Sequence, residues 1–459
     1  MKKKILSFIL IMIIFAINVS LVGATNISNE ETLAQEETVK NDKLSAKSSN
    51  VILLDLNTGS VLYEKKSKNK IFPAEITEIM TAVVVLENAN LEKLYEASET
   101  ALANISEGDS KMGIITGEKL SVRQLLHGMI LASAADASNV LAEGVGGSTE
   151  EFVAMMNKKA TEIGMKNTNF TNPTGAHDER HYSTTRDMAI LARYAMSIPE
   201  FCEIVKTQSY TITPTEKSKS ERKIINRNHF VSSLLRADYY YKYSTGIKTG
   251  YTAEAKSCIA ASAKKGNTEL LCLIFGAKTE ENVAISFVDC KNMFDYVFSN
   301  YSSVKIVSED KIVAQTKLVN SRRTKKVILK AGKSLEALKD NKVEKSEITY
   351  KDKVPSSVSA PIEEKQEIGI REYFLNGVSV GCIPLVADKN YTFDPVAYFI
   401  NKIIAFIKSP WLFITIFVVV VLLILKERHR RKVKRIERRK AKLERNRRMM
   451  EDINNYKSN

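Results

Sequence analysis

Two carboxylates, Glu75 and Glu78, stand three residues apart at the head of an apolar stretch. On a helix that spacing puts both on one face, and their repulsion raises the pKa of one of them. An acid beside a base is the arrangement of general acid–base catalysis. Other chemistry-bearing groups are sparse. Ser67-Lys68-Asn69-Lys70 has a hydroxyl and an amine at SxxK spacing, but in a polar loop. His177 and His181 are four apart in another polar segment with no third partner, so zinc is not expected. Cysteines 202, 258, 272, 290 and 382 are odd in number, widely spaced and free of any CxxC pair. No metal, cofactor or disulfide framework is readable from them, and Cys258 and Cys272 sit in apolar runs as small hydrophobes.

The elements that must position these groups are legible in outline. Val51–Leu56 and Ser60–Tyr63, joined by Asn57-Thr58-Gly59, predict a hairpin. Residues 74–88 are apolar on nearly every face, which predicts a helix buried all round. Further helices are expected over Val122–Leu131, Glu150–Ile163 and Ser183–Met196, the last with a Ser-Thr-Thr capping start and Pro199 beyond its end. Ile259–Ala263 and Leu270–Phe275 read as strands, the second as a central strand covered on both faces. Together these predict an α+β or layered α/β/α domain over residues 49–303. From 304 to 390 short alternating segments (Lys326–Lys330, Ile368–Phe374, Val378–Ile383) predict a small all-β domain.

Charge and hydropathy address the two ends to a membrane. The chain has 459 residues, 44% hydrophobic and 26% charged, which excludes a single small domain and a disordered polymer. Its formal net charge is +15, but residues 426–459 alone carry fifteen Lys/Arg against five Asp/Glu, and Lys2, Lys3 and Lys4 add three more. What remains is nearly neutral, so no nucleic-acid partner is expected. Residues 1–24 have the layout of a secretory signal peptide ending at Val22-Gly23-Ala24, or of an uncleaved anchor. Residues 25–48 read as a flexible spacer. Residues 391–408 predict an amphipathic helix, interfacial or packed on the last domain, with Asp394-Pro395 at its start. The uncharged run 409–425 is at the short end of a membrane span. The basic tail 426–459 belongs in the cytoplasm by the positive-inside rule and should attract anionic lipid.

Four stretches then occur in order: IFPAEITEIMTAVVVLE (71–87), LLHGMILASAADASNVLAE (125–143), NPTGAHDERHYSTTRDMAILARYAM (172–196) and GIKTGYT (246–252). Their framework resembles the low-molecular-mass penicillin-binding proteins, the serine-type D-alanyl-D-alanine carboxypeptidases. The resemblance covers residues 50–300 closely, and 304–390 is similar to the family's small C-terminal β domain. It implies a transpeptidase-like, β-lactamase-like fold, a single-pass cell-membrane protein with its ectodomain outside, no cofactor, and peptidoglycan stem peptides or a cell-wall protein as partner.

The family's chemistry uses an SxxK turn, an SxN motif and a KTG strand. By resemblance, Glu75 stands where the family has its nucleophilic Ser, Glu78 where it has Lys, and Ala135 where SxN has Asn, while Ser133 is kept. Lys248, Thr249 and Gly250 are intact, and the Tyr251 amide would be the second oxyanion donor. Thr77 is offset by two positions from the nucleophile and should point away from the cleft. Both carboxylates are expected to lean toward Lys248 and plug the cleft, with a new acid–base pair as the alternative. The expected function is a non-hydrolytic binding or regulatory pseudoenzyme. The alternatives are an active carboxypeptidase with a nonstandard site and a structural or signalling protein acting through its tail.

Overall fold

The computed structural model describes residues 44–103, 105, 108–280 and 283–457. The signal peptide expected at 1–24 and most of the expected spacer lie outside the described residues. The spacer expectation ran to residue 48, yet Ser48 is buried and both its amide and its hydroxyl donate to Asp289 Oδ2, at 2.8 and 2.7 Å. The chain is already docked there.

A five-stranded antiparallel sheet organises the first domain. Its strands are β1 (Asn50–Asp55), β2 (Val61–Lys65), β3 (Ser244–Thr252), β4 (Lys256–Lys265) and β5 (Thr268–Ala277), in the spatial order β2-β1-β5-β4-β3. The continuous apolar run of β5 is explained by what covers it. Leu271, Leu273 and Phe275 belong to the core shared with the main helical cluster, while Cys272 Sγ, on the opposite face, meets Met293 Sδ of the Ile285–Asn300 helix at 3.9 Å. Alternate side chains serve alternate helical layers, so the sheet is buried on both faces.

Inside the main cluster lie α1 (Glu78–Asn88), α2 (Val122–Ala132) and α3 (Ala135–Gly146). In α1 every residue from Glu78 to Val85 is buried, which is the reason its sequence shows no polar face. The expected helix 74–88 is divided: Ala74–Thr77 is a 3₁₀ turn and the α-helix begins at Glu78. Ser121 and Gln124 close a capping box at the head of α2. The helix expected from Ser183 instead starts at Thr185, with Thr184 accepting from the Asp187 amide. The α3 helix was not anticipated, because Ala-rich segments carry little periodicity.

The second domain is a small β structure. Its six-stranded sheet runs Ile348–Lys353, Glu367–Leu375, Val378–Ala387, Lys326–Ala331, Ile312–Val319, Ser357–Ser359 in spatial order. Val327, Leu329, Val380 and Leu385 fill its core with Val307 and Leu335 from a flanking strand pair.

Helix α4 (Pro395–Ile407) follows, capped by Asp394, whose Oδ1 accepts from the Val396 and Ala397 amides. Only Ala397 of this helix is buried. Its large apolar residues therefore do not pack on the β domain, against the packed alternative. The last helix, α5, runs unbroken over Pro410–Lys457, so the apolar span and the basic tail are one rod. Its most apolar 18-residue window has a mean hydropathy of 2.2, and none of it is buried. At about 1.5 Å per residue the uncharged run 409–425 makes about 25 Å, slightly short of a hydrocarbon core of about 30 Å.

Candidate functional site

The 3₁₀ turn and the edge strand β3 are brought into contact by glycines. Ala74 has φ +48°, a conformation L residues rarely adopt. Gly175, at φ +85°, lies directly against it: a Cβ there would fall 1.9 Å from the Ala74 carbonyl oxygen. Gly175→Ala should therefore cost about 2–4 kcal/mol, combining overpacking with a left-handed backbone, read as a lowered denaturation midpoint. On the other side, a Cβ on Gly250 would come within 3.0 Å of Glu75 N and Oε2. Gly250 is what lets β3 approach the turn.

That approach puts Glu75 Oε2 2.6 Å from the Tyr251 amide, which donates to it. Glu75 has no ion pair with Lys248 among the described residues. The expectation that both carboxylates lean toward Lys248 is thus corrected for Glu75. Its place in the turn aims it three residues further along β3, onto the Tyr251 edge-strand N–H.

Glu78 does meet Lys248. Both side chains are 1% exposed, and Nζ lies 3.1 Å from Oε2. That approach lacks hydrogen-bond alignment, for Oε2 has no hydrogen-bond partner, so the attraction is Coulombic. Oε1 accepts from Ser138 Oγ at 2.8 Å. Lys248, paired in the sheet with Ala260, donates to Ser133 Oγ and, at 3.3 Å, to the Thr249 carbonyl. Ser133 is the C-cap of α2 in the left-handed conformation, which turns its hydroxyl to the ammonium. Ala135, the first residue of α3, is buried and contributes no polar group. The Tyr251 side chain is exposed.

Burial is the largest influence on Glu78 and pushes its pKa up to about 7, with Lys248 and Ser138 pulling it down and Glu75 adding a smaller upward push. Between about 4.5 and 7 the folded state holds a proton that the unfolded state has lost. Stability therefore falls as pH rises through that window and is level above it. Buried His181, held down to about 4, slopes the other way. The readout is accordingly the difference between wild type and Glu78→Gln in unfolding midpoint against pH, with the falling component absent from the variant.

Three features escaped sequence reading. Ser138 falls three residues after Ala135 on the same face of α3 and was not singled out. Asp136 accepts from the amides of Met112, Gly113 and Ile114 at 2.9–3.1 Å, tying that loop to α3. His181 is not a loop residue in solvent. It is buried, and its Nδ1 accepts from the Thr171 amide, so its Nε2–H donates to Thr77 Oγ1 at 2.9 Å. Thr77 is thereby turned into the core. Ser67 is engaged with Glu64 Oε2 at 2.5 Å. Among the described residues no group of three His, Cys, Asp or Glu side chains is placed to hold a metal.

Residues 35–279 match the family model described as D-alanyl-D-alanine carboxypeptidase, and 301–392 match that of the penicillin-binding protein 5 C-terminal domain. The chain belongs to the D-alanyl-D-alanine carboxypeptidase family. It is 33% identical over 340 residues to the D-alanyl-D-alanine carboxypeptidase DacF of Bacillus subtilis, covering 73% of this chain and 84% of that protein. It is 34% identical over 231 residues to a Streptomyces D-alanyl-D-alanine carboxypeptidase, covering 47% of this chain and 75% of that one. Penicillin-binding protein 5 of Haemophilus influenzae superposes with a TM-score of 0.62 at 26% identity, over 76% of this chain and 98% of that structure. The transpeptidase-like α+β domain, the family's C-terminal β domain and the long apolar C-terminal helix are all present.

Proposed function

We propose that this family member is a membrane-tethered pseudoenzyme that binds peptidoglycan stem peptides, or a cell-wall protein, without hydrolysing them. The observation that carries the reading is the Glu75 carboxylate on the Tyr251 amide. In the family's chemistry that amide is the donor reserved for a developing oxyanion, and here the side chain of Glu75 already accepts from it.

The replacement also removes the nucleophile. A carboxylate at 75 attacking an amide gives an anhydride, which lies higher in energy than the amide. Glu78, held beside the Lys248 ammonium, cannot supply the cationic role of a lysine at that position, and Ala135 offers no amide side chain. Losing one member of a catalytic constellation typically costs about 10³–10⁶ in rate. The Glu75–Tyr251 contact and the Glu78–Lys248 pair thus support a plug rather than a new acid–base pair.

In this reading the backbone of Lys248, Thr249, Gly250 and Tyr251 forms the ligand-facing edge, while the Lys248 side chain stays buried on Glu78. Strand β3 is at the margin of its sheet, so an extended peptide can add to it by main-chain hydrogen bonds. The ectodomain lies outside the cytoplasm, the single span is the apolar first part of α5, and the basic tail is cytoplasmic and bound to anionic lipid. Purified chain incubated with a stem pentapeptide is expected to bind it calorimetrically and release no D-alanine. Release of D-alanine that Lys248→Ala abolishes would contradict the proposal.

A further inference from the structure

A cavity of about 560 Å³ opens on the β domain where α4 begins. Arg322, Arg323 and Lys389 line it together with Asp394, Phe393 and Val396. Three cations there face one carboxylate, and that carboxylate is already taken: Arg322 Nε lies 2.6 Å from Asp394 Oδ2. Arg323 and Lys389 are exposed and have no acidic partner within ion-pair distance among the described residues. The volume is that of a small-ligand site, and the surplus charge selects an anion.

The surroundings say which anion. Helix α4 is held in a fixed rotation by its polar side. The Asp394 amide donates to the Asn320 carbonyl at 2.9 Å, and Asn401 Nδ2 donates to Asn320 Oδ1 at 3.1 Å. Its other side is left open: Phe399, Ile400, Ile403 and Ile407 are all about half-exposed or more. Val396 belongs both to the cavity wall and to this apolar stripe. Two residues after α4 ends, the apolar helix α5 begins. If α4 lies in the interface, as an amphipathic helix does, the cavity at its first turn sits at headgroup depth. Phe393, at the lip, is 42% exposed, an aromatic ring at the level where aromatic side chains gather in membranes.

We propose that this cavity is a headgroup site for an anionic phospholipid, with its phosphate between Arg323 and Lys389 and its acyl chains along the apolar stripe of α4. A soluble phosphate would use the cations but leave the stripe bare, whereas a lipid molecule matches both at once. The site is independent of the cleft around Glu75 and of the cytoplasmic tail.

The test is hydrogen exchange on the full chain in nanodiscs of phosphatidylglycerol and of phosphatidylcholine. Peptides covering 321–324 and 389–393 are expected to exchange about fivefold more slowly in phosphatidylglycerol, the factor of one cation–headgroup contact. The paired change Arg323→Gln and Lys389→Gln, on exposed side chains, should remove the difference. Equal exchange in the two lipids overturns the proposal, and so does slowing that survives the paired change. Equivalent slowing in phosphatidylcholine discs by millimolar inorganic phosphate or glycerol phosphate would overturn the lipid as source.

Discussion

Glu78→Ala is expected to destabilise the chain by about 3–5 kcal/mol, because it strands the Lys248 ammonium in a site where both partners are 1% exposed. Ser133 Oγ and the Thr249 carbonyl still accept from Nζ, but neither carries charge. Lys248→Met should cost less. Its orphan is a carboxyl whose pKa burial already raises to about 7, so it can take up a proton and become neutral. The pair Glu78→Met and Lys248→Met removes both desolvation costs and should recover most of the loss, since an apolar pair of similar volume is commonly as stable as a buried ion pair. Thermal unfolding of the chain in detergent orders the three variants. A double variant less stable than either single one would mean that the pair is held for packing reasons and not by charge.

Glu75→Ser, Glu78→Lys and Ala135→Asn made together are expected to restore covalent acylation. The triple change frees the Tyr251 amide from Glu75 Oε2, returns a hydroxyl and an amine one turn apart, and gives α3 back a side-chain amide. Any one of the three alone should restore little, because catalytic groups that act as a unit are strongly non-additive. The full set should raise the acylation rate by at least about 10³ over wild type. Burst release from a chromogenic β-lactam measures it. A folded triple variant that stays inert would show that the surrounding cleft has diverged as well.

The frame of the molecule was readable because its signals are local or strongly patterned. The Asn57-Thr58-Gly59 hairpin, the uninterrupted apolar strand β5 and the all-round apolar helix α1 follow from turn chemistry and from burial on both sides. What escaped depends on long-range approach. No sequence rule places Glu75 on the Tyr251 amide instead of on Lys248, because that choice turns on the 3₁₀ turn at 74–77 and on Gly250 clearing room for it. Ser138 reaches Glu78 across sixty residues, and His181 looks like a loop residue until Thr77 and Thr171 are found around it. The Arg323–Lys389 cavity joins segments sixty-six residues apart, each of which reads alone as an ordinary charged turn.

The central claim is that no acyl-enzyme can form in this cleft. A fluorescent penicillin incubated with the wild-type chain, followed by denaturing electrophoresis, tests it most directly, with the triple variant as the reference that should label. No band is expected for wild type. A denaturation-resistant wild-type band that disappears in Glu75→Ala would contradict it.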